Sequence, residues 1–131
     1  MYLKFISIST LLSSASSLAK PVYLECEIIA DKEKQNFTVK VDEDLGKVTH
    51  TFSVGYAFKS EAFFTPDKIS YRESKTSYGV KIVRIFDISR VNLNVTQTSQ
   101  ISSAKFPDEV PVKTLVSNGQ CNLVDVEGRK F

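Results

Sequence analysis

One histidine, two cysteines and a short acidic run are the residues of this chain whose types could support chemistry. His50 is the single histidine. A general base needs an orienting partner and a substrate proton within hydrogen-bond reach, yet His50 shares its strand parity with Val48 and Phe52 and is flanked by Thr49 and Thr51. That is the position of a core or barrel-mouth histidine with its ring nitrogens satisfied. A serine nucleophile would have to use the same histidine, and no Gly-x-Ser-x-Gly elbow occurs. Cys26 and Cys121, together with His50, supply at most three of the four ligands of a structural zinc site. As thiols they are better placed as a bonded pair than as nucleophiles. Asp42-Glu43-Asp44-Leu45-Gly46 has the look of a calcium loop, but it lacks the downstream glutamate and the helical flanks, and reads as a solvated hairpin turn. Five glycines leave little material for a phosphate loop or a dinucleotide fingerprint. No catalytic, cofactor or metal site is assigned, and a small hydrolase is disfavoured by the histidine count.

The candidate contact is aromatic. Tyr56-Ala57-Phe58-Lys59-Ser60-Glu61-Ala62-Phe63-Phe64 crowds four rings around Lys59-Ser60-Glu61, which reads as a turn. Phe63 and Phe64 are adjacent, so a strand would bury one and present the other. The exposed ring would anchor a partner, as aromatic residues do at interface centres. A plug at one end of the fold is the alternative. Asn36-Phe37-Thr38 and Asn94-Val95-Thr96 fit the glycosylation acceptor pattern, yet each also reads as strand, and the bacterial-looking leader favours no glycan at Asn36 or Asn94.

The elements that must position these residues begin after a leader. Lys4 precedes the short apolar stretch Phe5 to Leu12, and Ser17-Leu18-Ala19 closes it as a small-x-small cleavage site. Residues 1–19 are therefore expected to be a signal peptide, with the mature chain starting at Lys20. The apolar stretch is far below the roughly 20 residues that span a bilayer, so no stable membrane insertion is expected after cleavage. Removing 19 of 131 residues leaves 112, enough for one core and one domain over residues 20–131. Only Lys4 leaves with the leader, so 16 of 17 basic residues face all 15 acidic ones, a formal charge of +1. Such a balance offers no general attraction for nucleic acid. An exported chain with two cysteines belongs in an oxidising compartment, secreted or periplasmic, with Cys26 bonded to Cys121.

Apolar residues then recur with period two. Val22, Leu24, Cys26 and Ile28 share one face, and Phe37-Thr38-Val39-Lys40-Val41 alternates likewise. The turn residues 42–47 join the latter to a run from Val48 to Phe58, predicting a hairpin over 35–58. Further strands are predicted at Ile69 to Tyr71, Tyr78 to Ile88, Val91 to Thr96 after a bend at Ser89-Arg90, Val110 to Val116 and Gln120 to Val126. Pro107 and Pro111 make the Val110 piece an edge strand or a loop, and the slip between Cys121/Leu123 and Val124/Val126 predicts a β-bulge. Seven or eight strands give an all-β domain, a small antiparallel barrel with a β-sandwich as alternative. A disulfide between the first and last strands favours closure.

The chain resembles small exported proteins of unknown function from marine bacteria and their phages. The likeness rests on Pro21-Val22-Tyr23-Leu24-Glu25-Cys26, Gly46-Lys47-Val48-Thr49-His50-Thr51, Ile88-Ser89-Arg90-Val91-Asn92-Leu93, Gly119-Gln120-Cys121 and Arg129-Lys130-Phe131. It implies export and a single domain. The Cys26 strand near the start and Cys121 near the end are also similar, more loosely, to periplasmic lysozyme inhibitors, which are disulfide-bearing β-barrels. The expected function is an exported, non-enzymatic binding module for a protein or envelope component. A small-ligand carrier is the alternative, which the bulk of Phe37, Phe52, Ile82 and Phe86 argues against.

Overall fold

The computed structural model describes residues 20–125. The expected leader, Val126 and Arg129-Lys130-Phe131 lie outside the described residues. Eight strands follow one another: β1 (Val22–Ala30), β2 (Glu33–Asp42), β3 (Lys47–Phe52), β4 (Ala57–Phe64), β5 (Lys68–Ser77), β6 (Val80–Ser89), β7 (Asn94–Ser103) and β8 (Lys113–Val124). Each pairs with its sequence neighbour, and β8 returns antiparallel to β1. The domain is thus a closed eight-stranded antiparallel barrel, with the β4–β5 ladder confined to Ala62–Phe64 against Ile69–Tyr71.

Period two sorts the side chains. Leu24, Cys26, Ile28, Phe37, Val39, Val41, Val48, Tyr71, Phe86, Ile88, Val95 and Cys121 are buried inside. Outward positions such as Glu25, Glu27, Lys40, Lys59, Glu61 and Arg72 are exposed.

The seam between β1 and β8 is where the barrel closes. Cys26 and Cys121 face each other across it as register partners, with Cα atoms 4.0 Å apart and a disulfide inside the barrel. Two positions away along the same face, Gly119 opposes Ile28. A Cβ at Gly119 would lie 1.9 Å from the Glu27 carbonyl oxygen and 2.7 Å from Ile28 Cα. Only glycine permits this approach of two backbones.

The ends of the barrel differ. Connections 43–46, 65–67 and 90–93 share one end, and Arg90 ties all three together. Its guanidinium donates to both oxygens of Glu43, at 2.8 and 3.3 Å, and to the Thr65 carbonyl at 3.0 Å. Its backbone N–H donates to the Asp67 carbonyl at 2.7 Å. The other end carries connections 31–32, 53–56, 78–79 and 104–112, and it stays open.

Several expected boundaries are corrected. The arm from Val48 to Phe58 breaks at 53–56, where Gly55 takes a φ of 97° and its N–H donates to the Phe52 carbonyl. Lys59-Ser60-Glu61 is no turn but the middle of β4, paired with Thr49, Val48 and Lys47. Tyr78 and Gly79 form a two-residue turn with both φ positive, so β6 starts at Val80 and β5 extends to Ser77. Val91 and Leu93 lie in a turn instead of a strand, Leu93 with φ 62°. The segments at Val110 and Gln120 reduce to the single strand β8, with Val110 and both prolines in the loop before it. Through Val124 its registers with β1 and β7 run without a slip, so the predicted bulge is absent among the described residues. Leu123, on the same parity as Cys121, is exposed near the end of β8.

Candidate functional site

Four adjacent strands carry the site in rows of register partners. The row nearest the closed end is Ile69, Ile88, Val95 and Gly119, from β5 through β8. The next is Tyr71, Phe86, Gln97 and Ser117, followed by Glu73, Arg84, Ser99 and Leu115. At the mouth stand Lys75, Ile82, Ile101 and Lys113. Inward positions therefore change from apolar to polar along the barrel axis.

The lower half is packed around His50. Its ring is fully buried, stacks on Phe37 at 4.3 Å and Phe58 at 5.0 Å, and meets Phe52 and Phe86 at 4.4 and 4.5 Å between centroids. Its Nδ1 lies 2.7 Å from the Tyr71 hydroxyl, itself buried. That hydroxyl has no other partner for its proton among the described residues, so it donates to Nδ1, and the imidazole keeps its own proton on Nε2. Among the described residues Nε2 is the buried side-chain polar atom without a hydrogen-bond partner. Burial first, and the Arg84 charge second, push the His50 pKa down from 6.5 to about 3, while burial raises that of Tyr71 well above its ordinary value. His50 is a neutral core residue at physiological pH.

The upper half opens into a cavity of about 780 Å³, within the range of ligand sites. This corrects the expectation that large side chains fill the interior. Phe37 and Phe86 do lie in the core, but Phe52 and Ile82 line the cavity wall. Glu73, only 8% exposed, organises that wall from beneath. It accepts hydrogen bonds from the Tyr56 hydroxyl at 2.7 Å and from Arg84 Nη1 at 3.1 Å. A buried carboxylate is tolerated only with such partners. The bond to Glu73 is the foremost cause of a raised Tyr56 pKa. Tyr56 stacks on Phe52 at 5.4 Å and carries Lys75 Nζ 4.5 Å from its ring centroid. Around the rim Val54, Tyr78, Phe106, Val110 and Val112 are exposed, on three of the four mouth connections. Tyr78 holds a left-handed φ of 52°, uncommon for a bulky residue.

The residues singled out from the sequence lie elsewhere. Phe63 and Phe64 sit at the end of β4 away from the mouth. Phe63 is 76% exposed, whereas Phe64 packs partly buried against the core, with the Arg90 guanidinium 6.0 Å from its ring. Phe63→Ser is expected to leave unfolding within about 0.5 kcal/mol of wild type. Phe64→Ser should cost about 2 to 3 kcal/mol, less than a fully buried phenylalanine; chemical denaturation of both variants checks the contrast. Asp42-Glu43-Asp44-Leu45-Gly46 forms the turn between β2 and β3, in which Leu45 N–H donates to Asp42 Oδ1 at 3.2 Å and the Glu43 carboxylate is held by Arg90. Asn36 and Asn94 are exposed. The mouth leaves little trace in the sequence because its polar members, Glu73, Arg84, Gln97 and Ser99, are scattered over three strands. Their one signal is shared inward parity with apolar neighbours.

No family model, curated protein or solved structure matches the chain.

Proposed function

We propose that this domain is an exported, non-enzymatic binding module that takes a projecting group of a protein or envelope component into the barrel mouth. The observation that carries the reading is the cavity of about 780 Å³ over a wall already held by Tyr56, Glu73 and Arg84. Groups fixed before the ligand arrives lose little freedom on binding. Apolar rim residues on three mouth connections add contact area of the kind found at recognition surfaces. A secreted or periplasmic setting agrees with the disulfide, and among the described residues no helix is long and apolar enough to cross a membrane.

Capture from the envelope fraction of the native host tests it with three baits: wild type, Ser99→Trp and Phe63→Ser. Ser99 lines the cavity, so an indole there projects into it and obstructs it. The expected outcome is a component retained by wild type and by Phe63→Ser and lost with Ser99→Trp, provided that Ser99→Trp melts as a folded protein. Loss with Phe63→Ser alone would move recognition to the opposite end of the barrel and overturn the proposal.

A further inference from the structure

The mouth's chemistry is specific enough to name a ligand class, an inference that rests on the mouth being the recognition site. The charged residues lining the cavity are Lys34, Lys75, Arg84 and Lys113 against Asp31. Their engagement in the free protein is uneven. Arg84 uses Nη1 on Glu73, and an arginine has five donors. Lys34 makes an exposed pair with Glu27 at 3.6 Å. Lys75 lies over the Tyr56 ring. Lys113 has no side-chain partner among the described residues.

Register makes this arrangement directional. In the mouth row Lys75, Ile82, Ile101 and Lys113 are successive cross-strand partners, so two isoleucine positions lie between two lysine positions. Strands spaced about 4.8 Å apart put the two lysine backbones roughly 14 Å from each other along the wall. Leu115 and Phe52 extend the apolar surface of the cavity. A cation in a recess exchanges its water most favourably for an anion that can take charge-assisted hydrogen bonds. The apolar strip between the lysines asks for a hydrocarbon or ring.

We infer that the mouth binds an anionic amphiphile, one carboxylate, phosphate or sulfonate joined to an apolar body, with the anion held by Lys75 or Lys113 and the body laid across Ile82, Ile101 and Leu115. Such a group can arrive free in solution or as part of a lipid surface. The recognising chemistry is the same.

Fluorescence titration of the intact, oxidised protein with anilinonaphthalene sulfonate and with the uncharged phenylnaphthylamine tests this, because the two probes share one ring system and differ in the sulfonate. The sulfonate should bind roughly tenfold more tightly at low salt, the advantage shrinking as salt rises. Lys75→Gln with Lys113→Gln should weaken the sulfonate by roughly tenfold and leave phenylnaphthylamine unchanged, with thermal unfolding as the check that the barrel is intact. Dodecanoate below its micelle concentration should displace the sulfonate if the ligand is free, and phosphatidylglycerol vesicles should do so if it is presented by a lipid surface. Equal binding of the two probes, binding indifferent to the lysine variants, or failure of both competitors would each overturn the inference. Equal binding would still leave the mouth as a charge-blind pocket, so the proposed function would stand on its own capture experiment.

Discussion

Replacing Cys26 and Cys121 together by alanine is expected to lower the unfolding free energy by about 4 to 5 kcal/mol. The bond links residues 95 positions apart. Removing it frees the unfolded chain from a loop of that size, for which the chain-entropy model assigns about 4.7 kcal/mol. The native state loses packing as well, since both cysteines belong to the core. Against a domain stability on the order of 5 to 15 kcal/mol this is a large share. The loss falls on the β1–β8 seam, where the last strand must find the first after the whole chain has been laid down. Urea denaturation of wild type with and without reductant, beside the double variant, measures it. A midpoint unmoved by reduction would contradict the expectation and assign the seam's stability to the ladder and to the close packing at Gly119.

Stability is expected to fall as pH drops below about 6.5, with His50 as the cause. The folded state holds the His50 pKa near 3, whereas an unfolded histidine titrates near its model value of 6.5. The unfolded chain therefore binds a proton that the folded barrel refuses. The contribution is complete above the unfolded pKa and is lost as pH falls from about 6.5 toward 3, at about 1.4 kcal/mol for each pH unit. Over the whole span this amounts to about 4 to 5 kcal/mol. Between about pH 6.5 and 5 unfolded carboxylates are still ionised, so the slope there isolates the histidine. His50→Phe alone should remove the slope but cost about 1 to 3 kcal/mol at neutral pH, because the buried Tyr71 hydroxyl loses its acceptor. His50→Phe with Tyr71→Phe removes both polar groups and should restore most of that loss. Denaturant midpoints at a series of pH values for the three proteins decide it; an unchanged slope in His50→Phe would place the titration elsewhere.

The all-β class, the inward side of β1 and β2 and the pairing of Cys26 with Cys121 were legible in the sequence, because alternation of apolar and polar residues directly encodes which face of a strand is buried. The disulfide was legible from cysteine count and parity, and its consequence, adjacency of the first and last strands, is a geometric requirement. Strand ends were less legible. The break at 53–56 lies inside an alternating stretch, and only Gly55 hints at it. The Tyr78-Gly79 turn and the left-handed Leu93 place large apolar residues where a turn is read from small or polar ones.

His50 shows the division within a single residue. Its parity indicated the apolar side, but the stacked rings of Phe37 and Phe58 come from β2 and β4, and its hydrogen-bond partner Tyr71 from β5. Phe63 and Phe64 show it again: adjacency alone sends the two rings to opposite faces, while the contact of Phe64 with Arg90 needs the turn after β6. The mouth was decided by tertiary structure alone. Glu73, Arg84 and Ser99 become one row only when β5, β6 and β7 take their registers. Period two assigns a side chain to a face, but it does not say at what height along the barrel axis that side chain meets its neighbours. Height is set by register, register by pairing around the closed sheet, and pairing by contacts between residues far apart in the chain.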